Sequence, residues 1–264
     1  MGGGTVDLHD RVALVTGAGS GIGAASAHAL AQGGADVVLV SRTPDEIEAV
    51  AETIRQFGRE AVAIPGDTSS DEDMRRLFTR IKRRFGRLDI VIANAGINGV
   101  WAPVDELKPK EWDETIRVNL RGTFLTVHHA VPLMDKGGSI VIVSSINGTR
   151  TFTTAGASAY STTKAGQLAF GQMLALELAP RGIRVNVVCP GAISTVIDDN
   201  TKKRATAKAK IPAKFPKGTV PLTDGKAGTS QDVADLVLFL SSDRARHITG
   251  TPVWIDGGQS LLMG

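Results

Sequence analysis

The sequence predicts an α/β fold, a doubly wound parallel sheet of about seven strands with helices on both faces. Three observations predict it. Short, continuous runs of Val, Ile, Leu and Ala alternate with longer amphipathic stretches along the chain. A glycine-rich turn follows the first apolar run and opens directly into a helical stretch. Glycine is plentiful, at 30 of 264 residues, while aromatics make up 5%, a balance that suits tight strand-to-helix turns better than a β-sandwich.

The strand candidates are residues 12–15, 37–40, 61–64, 90–93, 140–143, 185–188 and 252–255. Most are continuously apolar, the pattern of strands buried on both faces. Between them lie helical stretches at 21–32, 44–57, 71–85, 111–134, 159–179 and 230–240. Thr43 before Pro44 supplies an N-cap and a proline at the first helical position. Gly33, Gly58 and Gly86 each follow a helical stretch and fit C-cap positions. No repeat, low-complexity segment or linker divides the chain, so residues 1–264 are expected to form a single domain. The rhythm breaks once, over residues 192–228, a long stretch rich in Lys, Thr and Pro after a strand end. Ligands of open α/β sheets bind beyond the carboxyl ends of strands, so this insertion is a candidate substrate lid.

Bulk properties exclude several classes. A net charge of +3 is too small a surplus to indicate nucleic-acid binding. The single cysteine, Cys189, rules out an intrachain disulfide and a cysteine metal cluster, and its apolar setting reads as a small buried hydrophobe. The five histidines, including the His128-His129 pair, lack ligand spacing, so no metal site is expected and packing or helix-surface roles are. The stretch Met1-Gly2-Gly3-Gly4-Thr5-Val6 has no apolar signal region, and Val6 breaks the myristoylation pattern. No apolar run approaches spanning length, so the expected compartment is the cytoplasm, without a membrane partner.

The turn Thr16-Gly17-Ala18-Gly19-Ser20-Gly21-Ile22-Gly23 carries the first functional signal. Glycines let the chain turn sharply, let backbone N–H groups approach a pyrophosphate, and let the helix pack tightly on the sheet. Placed after the first strand, the turn reads as a Rossmann-type dinucleotide site; no Gly-Lys-Ser/Thr follows, which excludes a P-loop. The second strand ends in Val40-Ser41-Arg42, with no acidic residue at its tip to accept the 2′-OH of NAD. Arg42 can instead pair with a 2′-phosphate and stack on adenine, so NADP(H) is favoured and NAD(H) stays open.

The second signal is Tyr160-Ser161-Thr162-Thr163-Lys164. Four-residue spacing puts Tyr160 and Lys164 on one helix face. Phenols ionise near pH 10, too high for acid–base work at neutrality, but a nearby ammonium favours phenolate and suits the pair to carbonyl/alcohol chemistry. Tyr160 is the only tyrosine in the chain.

Together these motifs resemble those of the short-chain dehydrogenase/reductase family, in its 3-oxoacyl-reductase-like branch, over essentially the whole chain. Thr16 to Gly23 is similar to the family's glycine motif, with Gly17, Ser20, Gly21, Ile22 and Gly23 as cofactor contacts. Asn94-Ala95-Gly96 resembles its Asn-Ala-Gly segment, and Asp67 its adenine-contacting aspartate. Pro190-Gly191 with Thr195 resembles the motif lining the nicotinamide, and Asp256-Gly257-Gly258 the C-terminal signature. Asn119 stands where the family keeps a catalytic asparagine. Of Ser144 and Ser145, the latter matches the catalytic serine by its distance from the strand and from Gly148, and Ser144 is expected to bond backbone. The segment between Ser145 and Tyr160 is longer than the family's.

The resemblance implies that Ser145 bonds the substrate oxygen, that Tyr160 delivers the proton, and that Lys164 lowers the tyrosine pKa and holds the nicotinamide ribose. It implies that Asn119 positions a water linking Lys164 to solvent. It also implies a homotetramer built on the stretches 111–134 and 159–179 and on the C-terminal strand near Trp254. The substrate is a small carbonyl or alcohol, free or carrier-bound. Around the lid, Lys202, Lys203, Arg204, Lys208, Lys210, Lys214 and Lys217 form a stretch without acidic residues. It reads either as a solvated face or as a steering field for an anionic substrate. Trp101, Val196, Ile197, Ile211 and Phe215 either line a pocket or pack the lid on the body. An NAD-linked sugar or secondary-alcohol dehydrogenase, and a dinucleotide sensor without turnover, are the alternatives.

Overall fold

Strands with apolar side chains on both faces must be covered on both faces, and the chain does this with two helical layers. A computed structural model describes residues 6–195, 201–209 and 220–262. Its central sheet comprises β1 (Val12–Thr16), β2 (Asp36–Ser41), β3 (Ala61–Pro65), β4 (Leu88–Ala93), β6 (Met134–Val143), β7 (Arg184–Pro190) and β9 (Pro252–Ile255). All seven run parallel in the order β3-β2-β1-β4-β6-β7-β9. The order reverses beside β1, which pairs with β2 on one side and β4 on the other, and this is where doubly wound sheets open a crevice.

Alternate residues of each strand supply the two cores. Leu14, Val38 and Val40 point to one face with Met74 and Leu77 of α3 (Asp71–Phe85), Leu125 of α5 (Gly122–Ala130) and Leu174 of α6 (Ser158–Leu178). Ala13, Val37 and Leu39 point to the other with Leu30 of α1 (Gly21–Gln32), Ile54 of α2 (Pro44–Gln56) and Val237 of α7 (Ser230–Ser241). Burying one such Val, Leu or Ile side chain stabilises the fold by about 1.5–3 kcal/mol.

Several local expectations need correction. The stretch 111–134 is not one helix. It begins two residues earlier as α4 (Pro109–Ile116), where Pro109 occupies the first turn and Glu111 Oε2 accepts the Lys108 N–H at 3.0 Å. A π-helical turn follows at Arg117–Arg121, in which the Gly122 N–H reaches the carbonyl of Arg117. Then comes α5, and a 3-10 turn at Val131–Leu133 holds Pro132, which has no N–H to continue the helix. Met134 already belongs to β6, whose early part shifts register against β4 between Leu88 and Ile90. Gly33 caps α1 as expected, right-handed at φ −71°, and the left-handed turn falls on Gly34, at φ +105°. Gly86 is the left-handed cap that was expected, at φ +72°. A short parallel pair joins β5 (Val100–Trp101) to β8 (Lys202–Lys203), elements too short to read from composition.

Candidate active site

The carboxyl ends of β1, β4, β6 and β7 surround a cleft of about 1150 Å³. Gly17, Ser20, Gly21, Ile22, Arg42, Asp67, Asn94, Gly96, Ser145, Tyr160, Lys164, Pro190, Gly191 and Thr195 all line it. Two of the expected residues do not. Gly23 lies behind the wall, where a Cβ would sit 2.0 Å from the Gly17 carbonyl, so this glycine lets α1 close on the turn. Asn119 is fully buried beneath the floor.

The glycine turn fits a dinucleotide phosphate. Gly17 and Gly21 have φ of +65° and +53°, conformations that L side chains resist. A Cβ on Gly17 would meet Asn94 Nδ2 at 2.9 Å, and that amide donates to the carbonyls of Thr16 and Gly17, tying β4 to the turn. Ser20 caps α1, yet its side chain makes no cap bond, and the first turn of α1 has no acidic residue. By contrast α2, α3, α4 and α7 each carry acids there. The N-terminus of α1 thus keeps its N–H groups, its dipole and a hydroxyl for an external anion.

Asp67 is held by neighbours on this wall. Its Oδ1 accepts from Ser69 N and Oγ, and its Oδ2 from Arg117 at 3.0 Å. Burial opposes its charge, but the bonds from Ser69 and Arg117 keep the carboxyl below its ordinary value. Arg42 is exposed at the mouth and makes none of the ion pairs found among the described residues.

On the opposite wall Ser144 Oγ donates to the Lys164 carbonyl at 2.8 Å, the backbone role expected of it. Ser145 Oγ accepts the Asn147 N–H at 3.1 Å, which occupies a lone pair and leaves its proton to turn elsewhere. The long segment after Ser145 folds back over the cleft, with Asn147 Oδ1 accepting from Thr151 and Thr154. At Gly156, φ +79°, a Cβ would sit 2.7 Å from the Ala102 nitrogen, and its carbonyl accepts the Ala102 N–H.

Lys164 is buried. Its Nζ donates to the Val143 carbonyl and to Gln167 Oε1, both at 3.0 Å, and lies 5.5 Å from the centre of the Tyr160 ring. Burial lowers its pKa to about 8, and among the described residues no carboxylate pairs with it. Asn119 sits in the π turn. Its amide exchanges two hydrogen bonds with the backbone of Ile97, at 2.8 and 2.9 Å, and donates to Thr163 Oγ1 at 3.1 Å. Gln167 Nε2 donates to the Asn119 carbonyl at 2.9 Å, so a side chain joins Asn119 to Lys164. The sequence signal for Gln167 was its place three residues beyond Lys164 on the same helix face.

The segment 201–209 crosses the mouth, and Lys203, Thr206 and Ala207 line the cleft beside Trp101. Its basic residues are not a uniform field. Arg204 grips both oxygens of Glu111, at 2.8 and 2.7 Å, and holds that carboxyl down to about 2, while Lys208 pairs with Glu106. Lys210, Lys214, Lys217, Val196, Ile197, Ile211 and Phe215 lie outside the described residues. Of the histidines, His129 bonds Asp71 and stacks on Phe78, and His128 stacks on Phe124, the packing roles expected of this pair.

Known proteins match this chain in sequence and fold. A family model described as enoyl-(acyl carrier protein) reductase matches residues 17–260. The crystal structure of a short chain dehydrogenase from Burkholderia cenocepacia J2315, in complex with NADP, is 36% identical with a TM-score of 0.84, covering 96% of this chain and 98% of that one. The chain belongs to the short-chain dehydrogenase/reductase family. It is an oxidoreductase of the CH–OH/carbonyl class. Within the family it is similar to a 3-ketoacyl-ACP reductase from Sinorhizobium meliloti 1021, with 61% identity, a TM-score of 0.93, and coverage of 96% of this chain and 100% of that one. It is also 38% identical to the 3-oxoacyl-[acyl-carrier-protein] reductase of Aquifex aeolicus, over 96% of this chain and 98% of that protein. No described helix is long and apolar enough to cross a membrane.

Proposed function

We propose that this enzyme interconverts a ketone and a secondary alcohol by hydride transfer with NADP(H), using Tyr160 as proton donor and acceptor. The observation that carries this reading is the buried Lys164 ammonium, unpaired with any carboxylate among the described residues and 5.5 Å from the ring of the chain's only tyrosine, in the cleft headed by the glycine turn. The nicotinamide, when bound, supplies or takes the hydride. Lys164 favours the phenolate and keeps one N–H for a ligand in the cleft. Ser145 donates to the carbonyl oxygen, where negative charge develops during reduction. Ser20 and the N-terminus of α1 hold the pyrophosphate, and Asn94 and Asn119 fix the walls. Ser41, Arg42 and Thr43 line the pocket where a 2′-phosphate would sit. Glu46 lines the same wall, and its carboxylate weighs toward NAD.

The substrate reading rests on similarity. The carrier-linked relatives and Lys203 at the cleft mouth support an anionic or carrier-bound oxoacyl substrate. Residues 192–228 serve as the lid of a single catalytic domain, latched by Arg204–Glu111 and Lys208–Glu106. Copies of the chain assemble as a homotetramer through α5 and α6. The test is oxidation of NADPH and NADH across a carbonyl panel that includes 3-oxoacyl thioesters. Turnover with NADPH preferred is expected, and no turnover on any carbonyl contradicts the reading. Arg42→Ala should lower the kcat/KM ratio of NADPH over NADH by about tenfold or more, the scale of one charge-assisted contact of about 1.5–3 kcal/mol; an unchanged ratio removes Arg42 from the cofactor site.

A further inference from the structure

Gln167 belongs to none of the motifs above, yet it joins two of their residues. It lies three residues beyond Lys164 on α6 and is completely buried. Its Oε1 accepts from Lys164 Nζ at 3.0 Å. Its Nε2 donates to the Asn119 carbonyl at 2.9 Å and to Thr123 Oγ1 at 2.8 Å. Thr123 Oγ1 in turn donates to the Asn119 carbonyl at 2.7 Å. These contacts fix which way the amide faces. Turned over, its NH₂ would meet an ammonium, which has only donors, and its oxygen would meet a carbonyl, which has only lone pairs. An ammonium has three donors. The Val143 carbonyl and Gln167 take two, and no described residue takes the third.

We infer that Gln167 is the positioning residue of Lys164, an amide clamp anchored on Asn119 and Thr123 that aims the ammonium into the cleft beside Tyr160. The inference rests on the Tyr160–Lys164 chemistry proposed above. Its physical basis is the cost of a buried cation. With desolvation opposing the charge, each acceptor that touches the ammonium keeps it protonated. The other titratable group acting on Lys164 is the Cys189 thiol of β7, which burial pushes up to about 11 and so keeps neutral. Arg42, Glu46, Asp67 and Lys203 are the other charged residues lining the cleft.

Because Tyr160 is the only tyrosine, phenolate difference absorbance reads it directly in the cofactor-free full-length protein, without turnover. Gln167→Met conserves volume and removes both polar ends. It should raise the phenolate midpoint by about half a pH unit or more, since Lys164 then loses an acceptor and with it part of its charge. A cooperatively melting Gln167→Met protein with an unmoved midpoint overturns the inference. If that variant does not fold, Gln167→Glu is read instead. Its carboxylate offsets the ammonium and should likewise raise the midpoint, and an unmoved value overturns the inference equally. Lys164→Met separates the two levels. A midpoint indifferent to Lys164→Met refutes the Tyr160–Lys164 pair itself, whereas one that responds to Lys164→Met but not to Gln167→Met refutes only the clamp.

Discussion

Lys164 is a cation held where cations are disfavoured, and its pH behaviour follows. Burial lowers its pKa from 10.5 to about 8. A lysine that binds its proton less tightly folded than unfolded destabilises the fold while both states are charged, below about pH 8. The penalty is relieved as pH rises from there toward 10.5, because the unfolded chain then holds more protons than the native one. The melting temperature of the cofactor-free wild type relative to Lys164→Met should therefore rise between pH 7 and pH 10. A difference that stays flat over that range contradicts the depressed pKa. At this scale the residues of the two motifs were legible because their chemistry is tied to spacing. Gln167 was not, because a place three residues beyond Lys164 on the same helix face names no partner until Asn119 is brought beside it.

The elements divide in the same way. The strands were readable as mostly apolar runs, since a sheet covered on both faces leaves few polar positions, Ser139 and Asn186 among them. The π turn at Arg117–Arg121 was not, because its hydrophobic pattern passes for one long helix and only the Gly122 N–H to Arg117 carbonyl bond distinguishes it. The start of β6 was hidden by Pro132 and by the polar and glycine residues that follow Met134. The pair β5–β8 joins residues about a hundred positions apart, a contact that no local pattern encodes. Helix α6 shows what the pattern leaves unsaid about packing. At Gly171 a Cβ would meet Val187 Cγ2 of β7 at 2.5 Å and Ile142 Cδ1 of β6 at 3.4 Å. Gly171→Ala should therefore destabilise the protein by ~1–3 kcal/mol through overpacking, read by chemical denaturation. An equal or greater stability would show that α6 has room to move away from the sheet.

For the whole molecule, the outward surface of α5 and α6 carries Phe124, Met173 and Leu176, with the latter two 68% and 76% exposed. Such apolar exposure on the two helices expected at a subunit contact supports the homotetramer. Sedimentation equilibrium at micromolar concentration should give the tetramer mass, and a monomer there contradicts the assembly. The break in rhythm over residues 192–228 shows in length and composition alone, but the pairs Arg204–Glu111 and Lys208–Glu106 do not, since they form only when residues 201–209 fold across the mouth. The central proposal is proton transfer by Tyr160. The most direct measurement is kcat with NADPH and a reducible ketone for wild type and Tyr160→Phe, with NADPH binding checked by fluorescence. The proposed mechanism predicts that Tyr160→Phe binds NADPH normally and loses about a hundredfold or more in kcat, the scale of general acid catalysis. Wild-type turnover by a Tyr160→Phe enzyme would contradict it.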